Sequence, residues 1–305
     1  MLDLSIIIVN WNTRDLLARC LNAVDATVKK IAYETIVVDN NSTDGSQDML
    51  RTQYPNVKLI ANIDNRGFAK ANNQGIDISQ GRYVLLLNSD AFVLENTLDT
   101  MVAFMDAHPE AGMAGCKLLY EDGSLQASCA TFPTLATEFY IAVGLDKMFP
   151  QSKIFGSYLM TDWDYSTQRE VDVIMGAFML VRKTAIEQVG LMDESFFMYS
   201  EEVDWCYRFK AVGWKILFTP EVECIHIWGG SSRAVKVETL IRLYRARVQF
   251  FRKHYGRLTA FLYKIILTFN SLVRVVPGAV YYLRSEAGRQ KHYAFRQLLG
   301  AIPGF

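Results

Sequence analysis

Four short runs rich in Ile, Val and Leu occupy the first third of the chain, and each stops abruptly in polar residues: SIIIVNW, ETIVVDN, VKLIAN and RYVLLLNSD. Runs this short and this uniformly apolar are strands buried on both faces. Between them the period changes. Leu16, Leu17, Cys20, Leu21 and Val24 mark a helix within Thr13–Lys30. Gly67–Ser79 and Asn96–His108 read as two more, the last stopping before Pro109. Strand alternating with helix predicts an α/β fold on a doubly wound, mostly parallel sheet, which binds ligands beyond the carboxyl ends of its strands. The polar residues after each run are therefore where chemistry is expected.

After Pro109 the pattern loosens. MAGCKLLYEDGSL predicts a strand hairpin turning at Asp122-Gly123, and residues 130–168 show no clear period. VDVIMGAFMLVRK reads as one strand with Gly176 in its middle, followed by a helix at 184–190. A strand WKILFTP leads into ECIHIWGGSSR, then come a helix at 236–255 and an apolar helical stretch at 258–284. The expected division is a catalytic domain over 1–235, with halves 1–108 and 109–235, and a C-terminal region over 236–305.

A net charge of zero hides an asymmetry. From Thr239 onward there are twelve Lys/Arg and one acid, Glu286, which leaves 20 basic and 31 acidic residues in 1–238. The acidic body argues against nucleic-acid binding, and the basic end calls for an anionic partner, here a lipid surface. Leu258–Leu283 is long enough to span a bilayer yet contains Lys264, Asn270, Arg274 and Pro277. Lys264, Thr268, Ser271 and Arg274 fall on one helical face as a polar stripe. That predicts a helix lying in the membrane interface, with packing onto the body as the alternative. Five scattered cysteines with no CxxC pair suggest reduced thiols in the cytoplasm, and the acid at position 3 followed by a short apolar run suggests a buried strand rather than a signal peptide. The expected location is cytoplasmic, peripheral on the inner face of the cell membrane.

Four constellations can carry chemistry. Asp39 ends the strand in VVDNNSTDGS, where a carboxylate can accept hydrogen bonds from a nucleobase or ribose; alternatively Asp39 and Ser42 shape the turn and cap the next helix. Asn88-Ser89-Asp90 follows YVLLL, where Asp90 can hold Mg²⁺ or Mn²⁺ beside a diphosphate, or the three can form a helix-entry turn. FFMYSEEVDWCYR packs Glu201, Glu202 and Asp204 within four residues, a density that raises one carboxyl toward general-base use. Helix N-terminal acidity with an Asp204–Arg208 pair is the plainer account. His226, beside a glycine pair in HIWGGSS, can complete a metal shell or simply be a satisfied polar residue. No GxGxxG, P-loop lysine or GxSxG elbow is present, which removes support for dinucleotide oxidoreductases, P-loop kinases and α/β-hydrolases.

Taken in order, SIIIVNWN, VVDNNSTDGS, NRGFAKANNQG, YVLLLNSD, GAFMLVRK, GLMDESFFMYSEEVDWCYR and HIWGGSS resemble the family-2 inverting glycosyltransferases of GT-A fold, especially rhamnosyltransferase-like bacterial members. The resemblance runs from Ser5 to about Ser232. It implies that Asp39 binds the nucleoside, that Asn65 and Gly67 form the donor-site turn, and that Asn88 and Asp90 match the two ends of the metal motif, with Asn replacing its first acid. It further implies that Glu202 is the catalytic base, with Glu201 a competitor, and that His226 approaches the metal and diphosphate. The implied donor is a dTDP- or UDP-linked sugar, with rhamnose suggested, and the implied acceptor is a saccharide or lipid-linked saccharide. A nucleotidyltransferase would need a basic, glycine-rich loop where NWNTRD stands. A non-catalytic nucleotide-sugar-binding module would keep the fold without turnover.

Overall fold

Branched aliphatic side chains set the central layer. The computed structural model describes residues 2–227, 237–275 and 286–305. The apolar runs form β1 (Leu4–Asn10), β2 (Tyr33–Asp39), β3 (Lys58–Ala61) and β4 (Tyr83–Asn88), separated by α1 (Arg14–Thr27), α2 (Ser46–Gln53) and α3 (Phe68–Ile78). The chain continues through β5 (Ala91–Val93), α4 (Thr97–Ala107), β6 (Ala111–Leu119), β7 (Leu125–Gln126), β8 (Cys129–Ala130), α5 (Leu135–Val143) and α6 (Leu145–Met148). There follow β9 (Arg169–Glu170), β10 (Val173–Ile174), β11 (Phe178–Arg182), α7 (Lys183–Val189), α8 (Glu201–Ala211), β12 (Lys215–His226), α9 (Val237–Val275) and α10 (Glu286–Ala301).

Among the described residues the main sheet follows β3-β2-β1-β4-β11-β6-β12-β5, with β7 on β6 and β9 on β12. β1 is parallel to β2 and β4, β2 to β3, and β6 to β12, whereas β11 and β5 run antiparallel to their neighbours. Ile6, Ile7 and Ile8 of β1 are fully buried, each contributing roughly 1.5–3 kcal/mol. Leu17, Cys20, Leu21 and Val24 line the buried stripe of α1 at the spacing the sequence predicts. On the other face α3 approaches closely, because at Gly75 a Cβ would meet the Ile7 side chain at 2.5 Å.

The chain order reverses between β1 and β4, which makes their carboxyl ends the switch point of the sheet. Asn10 pairs in register with Asp39, and Val9 with Asn88, so three polar residues end three adjacent parallel strands on one edge. The hairpin at Asp122-Gly123 forms as expected, with Gly123 at φ 80°.

Two expectations are corrected here. VDVIMGAFMLVRK is not one strand: β10 pairs with β8 in a separate two-stranded sheet, and β11 enters the main sheet after a break at 175–177. Residues 130–168 are not uniformly irregular either. Thr134 and Thr137 form a capping box that starts α5.

The described residues divide into two compact units. The first is drawn from Met1–Thr131, Trp163–Phe197 and Glu201–Ser231, and the second from Phe132–Asp162, Met198–Ser200 and Ser232–Phe305. In the second, α5 and α10 pack on α9 around Val248, Phe251, Tyr263, Leu267, Leu298 and Ile302. Gly256, at φ 88° and ψ 171°, breaks α9 where the sequence separates two helices. The C-terminal part of the 258–284 stretch, Pro277 included, lies outside the described residues.

The polar stripe on α9 is also corrected. Thr268 and Ser271 donate to the carbonyls of Lys264 and Leu267 in their own helix, and Ser271 and Asn270 are buried. The exposed face carries Leu258, Phe261, Ile265, Phe269, Leu272 and Val273 instead. Counting polar residues missed this, because a hydroxyl satisfied within its own turn can sit in a core.

Candidate active site

At the carboxyl edge, Asp39 is fully buried and its carboxylate takes three donors. Asn10 Nδ2 reaches Oδ2 at 2.7 Å, while the Ser42 backbone N–H at 2.9 Å and Gln47 Nε2 at 2.7 Å reach Oδ1. The turn-shaping role read from the sequence is therefore present. A carboxylate has about four lone-pair positions, so with two donors on Oδ1 and one on Oδ2 the open position is on Oδ2. Asn10 Oδ1 accepts from Thr13 Oγ1 at 2.7 Å, and that hydroxyl lies 2.8 Å from Ser89 Oγ. This buried chain ties the turn after β2 to the Asn88–Asp90 segment across the switch point.

Asn65 and Gly67 form a turn in which Asn65 Oδ1 accepts the Gly67 N–H at 3.0 Å. Gly67 has φ 80°, and a Cβ there would lie 2.2 Å from the Phe197 carbonyl oxygen. That oxygen accepts the Phe68 N–H at 2.9 Å. The glycine thus lets the start of α3 seat against the segment leading to α8. Asn73, which the sequence reading did not single out, holds the same segment. Its side-chain amide exchanges two hydrogen bonds with the Met192 backbone, at 2.9 and 3.0 Å.

Glu201 and Glu202 open α8. Tyr199 and Ser200 just before them sit at φ 73° and 63°, a left-handed pair that costs energy and re-aims the chain into the helix. Glu201 is buried, and its carboxyl is pushed well above the usual carboxylate range, first by burial and then by the charge of Glu202. Glu202 is half-buried. Asp204 is fully buried and pairs with Arg208 at 2.9 Å, while the two Nη atoms of Arg208 bond the carbonyls of Val189 and Leu191. The i,i+4 pair is therefore structural, pinning the 189–197 segment from the α8 side as Asn73 and Phe68 pin it from α3.

The third cluster joins Asp90 and His226, 136 positions apart. β5 pairs antiparallel with the end of β12, His226 opposite Ala91, and brings Asp90 Oδ1 within 3.2 Å of His226 Nε2. Asn88 Nδ2 is 3.3 Å from the same ring nitrogen, and Gln126 Oε1 is 2.7 Å from Nδ1. Two ligands at right angles around a cation with bonds of about 2.1 Å lie roughly 3 Å apart, so this carboxylate–imidazole pair fits a divalent cation. No group of three His, Cys, Asp or Glu side chains forms a cage among the described residues. A cation here would complete its shell with diphosphate and water, as Mg²⁺ commonly does. The glycine pair after His226 lies outside the described residues.

These clusters belong to one unit, and a series of contacts links their segments. The Asn88 N–H donates to the Ala177 carbonyl, Gly176 stands against the Phe68 ring, and Phe68 bonds Phe197, four residues before Glu201. Residues 5–190, more than half of the chain, match the model of glycosyl transferase family 2. The chain belongs to glycosyltransferase family 2. Among relatives of this family-2 enzyme, the N-acetylglucosaminyl-diphospho-decaprenol L-rhamnosyltransferase of Mycobacterium tuberculosis is 28% identical over 234 residues, 73% of this chain and 75% of that one. Rhamnosyltransferase WbbL of Escherichia coli is 26% identical over 232 residues, 72% and 82% of the two chains. Among solved structures, a mannosyltransferase from Pyrobaculum calidifontis in complex with GDP-Man and Mn²⁺ superposes with a TM-score of 0.59 at 17% identity, covering 100% of this chain and 88% of that one. GalNAc-T7 with UDP, GalNAc and Mn²⁺ gives 0.60 at 16%, covering 100% and 57%. The fold is GT-A, and this family-2 glycosyltransferase transfers a sugar from a nucleotide donor.

Proposed function

We propose that the chain is an inverting, metal-dependent hexosyltransferase that moves a sugar from a dTDP- or UDP-linked donor to a saccharide or lipid-linked acceptor in cell-surface polysaccharide synthesis. The observation carrying this reading is the Asp90–His226 pair, a carboxylate and an imidazole 3.2 Å apart at the sheet's carboxyl edge. Rhamnose is favoured because two relatives bear rhamnosyltransferase names. The proposed division is a catalytic domain over 1–235 and a basic membrane-associating region over 236–305.

In this reading Asn65, Gly67 and Asn88 shape the donor pocket. Asp39 takes a ribose or base hydrogen bond at its remaining acceptor position. Asp90 and His226 hold Mg²⁺ or Mn²⁺, which when bound neutralises charge on the departing diphosphate. Glu202 accepts the proton of the acceptor hydroxyl. That oxygen bonds the anomeric carbon as the carbon–oxygen bond to the diphosphate breaks, its electron pair leaving with the phosphate oxygen. A single displacement inverts the anomeric centre. Glu201 is too buried to meet an acceptor and is assigned second place.

A panel of nucleotide sugars, each assayed for nucleotide release with Mn²⁺, with Mg²⁺ and with chelator, tests this directly. The expected result is turnover of one pyrimidine-linked hexose that chelation abolishes. Undiminished turnover in chelator would remove the metal from the mechanism.

The second unit supplies the proposed attachment to the inner face of the membrane. One described helix, α9, is long and apolar enough to cross a bilayer by length and composition. Lys264 and Arg274 along it, and exposed Arg252, Lys253 and Arg257 near its break, favour lying at an anionic surface, at about 1 kcal/mol per basic residue near lipid. Replacing exposed Phe261 and Ile265 by Glu should lower binding to vesicles containing anionic lipid by roughly tenfold or more, since each buried apolar side chain contributes about 1.5–3 kcal/mol. Equal sedimentation of the double variant and the parent would show that this face does not bind.

A further inference from the structure

Gln126 touches His226 twice. Its Nε2 donates to the His226 backbone carbonyl at 3.2 Å, and its Oε1 stands 2.7 Å from Nδ1 of the imidazole. A backbone carbonyl only accepts, so the first contact fixes which end of the amide faces which partner. Oε1 likewise only accepts, which places the proton of the neutral ring on Nδ1. The lone pair is then on Nε2, the atom nearest Asp90 Oδ1.

We propose that Gln126 is a positioning residue for the cation: it locks His226 in the Nδ1–H tautomer and turns the Nε2 lone pair toward the site shared with Asp90. This rests on the reading of Asp90 and His226 as cation ligands. Gln126 is buried in β7, which the hairpin turn folds back onto β6, so its amide is held rather than free to rotate in solvent. Groups that orient a ligating histidine through its other nitrogen set metal affinity in general, and their loss costs roughly 10–100-fold.

Two measurements on the full chain test the proposal. Long-range ¹H–¹⁵N spectra of the histidine rings, with His226 assigned through His226→Gln, should show the Nδ1–H tautomer without added metal. Gln126→Leu should lose that signature, and its Mn²⁺ affinity, read from the electron paramagnetic resonance of the free ion, should fall roughly 10–100-fold. Gln126→Glu, which keeps an acceptor for Nδ1–H, should keep the proton on Nδ1. A wild-type ring protonated on Nε2 overturns the proposal, and so does a folded Gln126→Leu with unchanged tautomer and affinity. If wild type and His226→Gln bind Mn²⁺ equally, it is the cation reading that fails, and the proposal falls with it.

Discussion

Glu202→Gln is expected to lower turnover by about 10²–10⁴-fold while leaving nucleotide-sugar affinity essentially unchanged, because a general base contributes that much and touches the acceptor rather than the donor. Glutamine keeps the shape and one acceptor oxygen but cannot take the proton. Paired measurements of kcat and of donor affinity by calorimetry separate this from a folding defect. A non-catalytic binding module would have no turnover to lose. Glu201→Gln should behave differently. The Glu201 carboxyl is buried and raised well above its ordinary 4.5, so it holds its proton above the usual carboxylate range. Since the folded-state pKa lies above the unfolded one, the stability linked to this group is full below about pH 4.5 and declines as pH rises toward the folded value. Glu201→Gln, neutral at every pH, should flatten that decline in urea titrations and retain most of the activity. If Glu201→Gln instead abolished turnover and Glu202→Gln did not, the two roles would have to be exchanged.

The parts of this site legible in the sequence are those announced by local pattern. Asp39 and Asn88 end runs whose burial is written in consecutive β-branched and leucine residues, so their place at strand ends followed from those runs and their abrupt polar stops. The pairing that gives Asp90 its neighbour was not legible. β5 is three residues long, too short for any period, and its partner lies more than 130 positions away. Gln126 carries no local signal at all: it sits in a two-residue strand, and its importance exists only once β7 and β12 are folded against β6. Gly176 was visible as a glycine in a strand, but whether it bends one strand or separates two depends on β8, which claims Val173 and Ile174. The α9 face was misread for a related reason. Hydroxyls that bond their own helix look polar in sequence and behave as core in space.

Arg247→Leu should destabilise the second unit by about 3–5 kcal/mol, the largest stability effect expected here. Arg247 lies on α9 with a side chain only 12% exposed, and it bonds Glu138 of α5 at 3.0 Å and the Tyr158 hydroxyl at 2.5 Å. Burial pushes the Glu138 carboxyl above its usual range even with the guanidinium beside it, so removing the arginine strands a desolvated acid that must either stay charged or take up a proton. The loss should appear as faster hydrogen exchange along α9 and α5, without loss of protection in the β1–β4 strands of the other unit. The ion pair is not thereby a net stabiliser. Taking both charges out of water costs several kcal/mol per ion, so an apolar pair of similar volume can serve as well. Glu138→Leu combined with Arg247→Leu should therefore recover much of what the single substitution loses, leaving mainly the loss of the Arg247–Tyr158 hydrogen bond. A double variant as unstable as Arg247→Leu would mean that the arginine acts through packing and Tyr158 rather than through the acid.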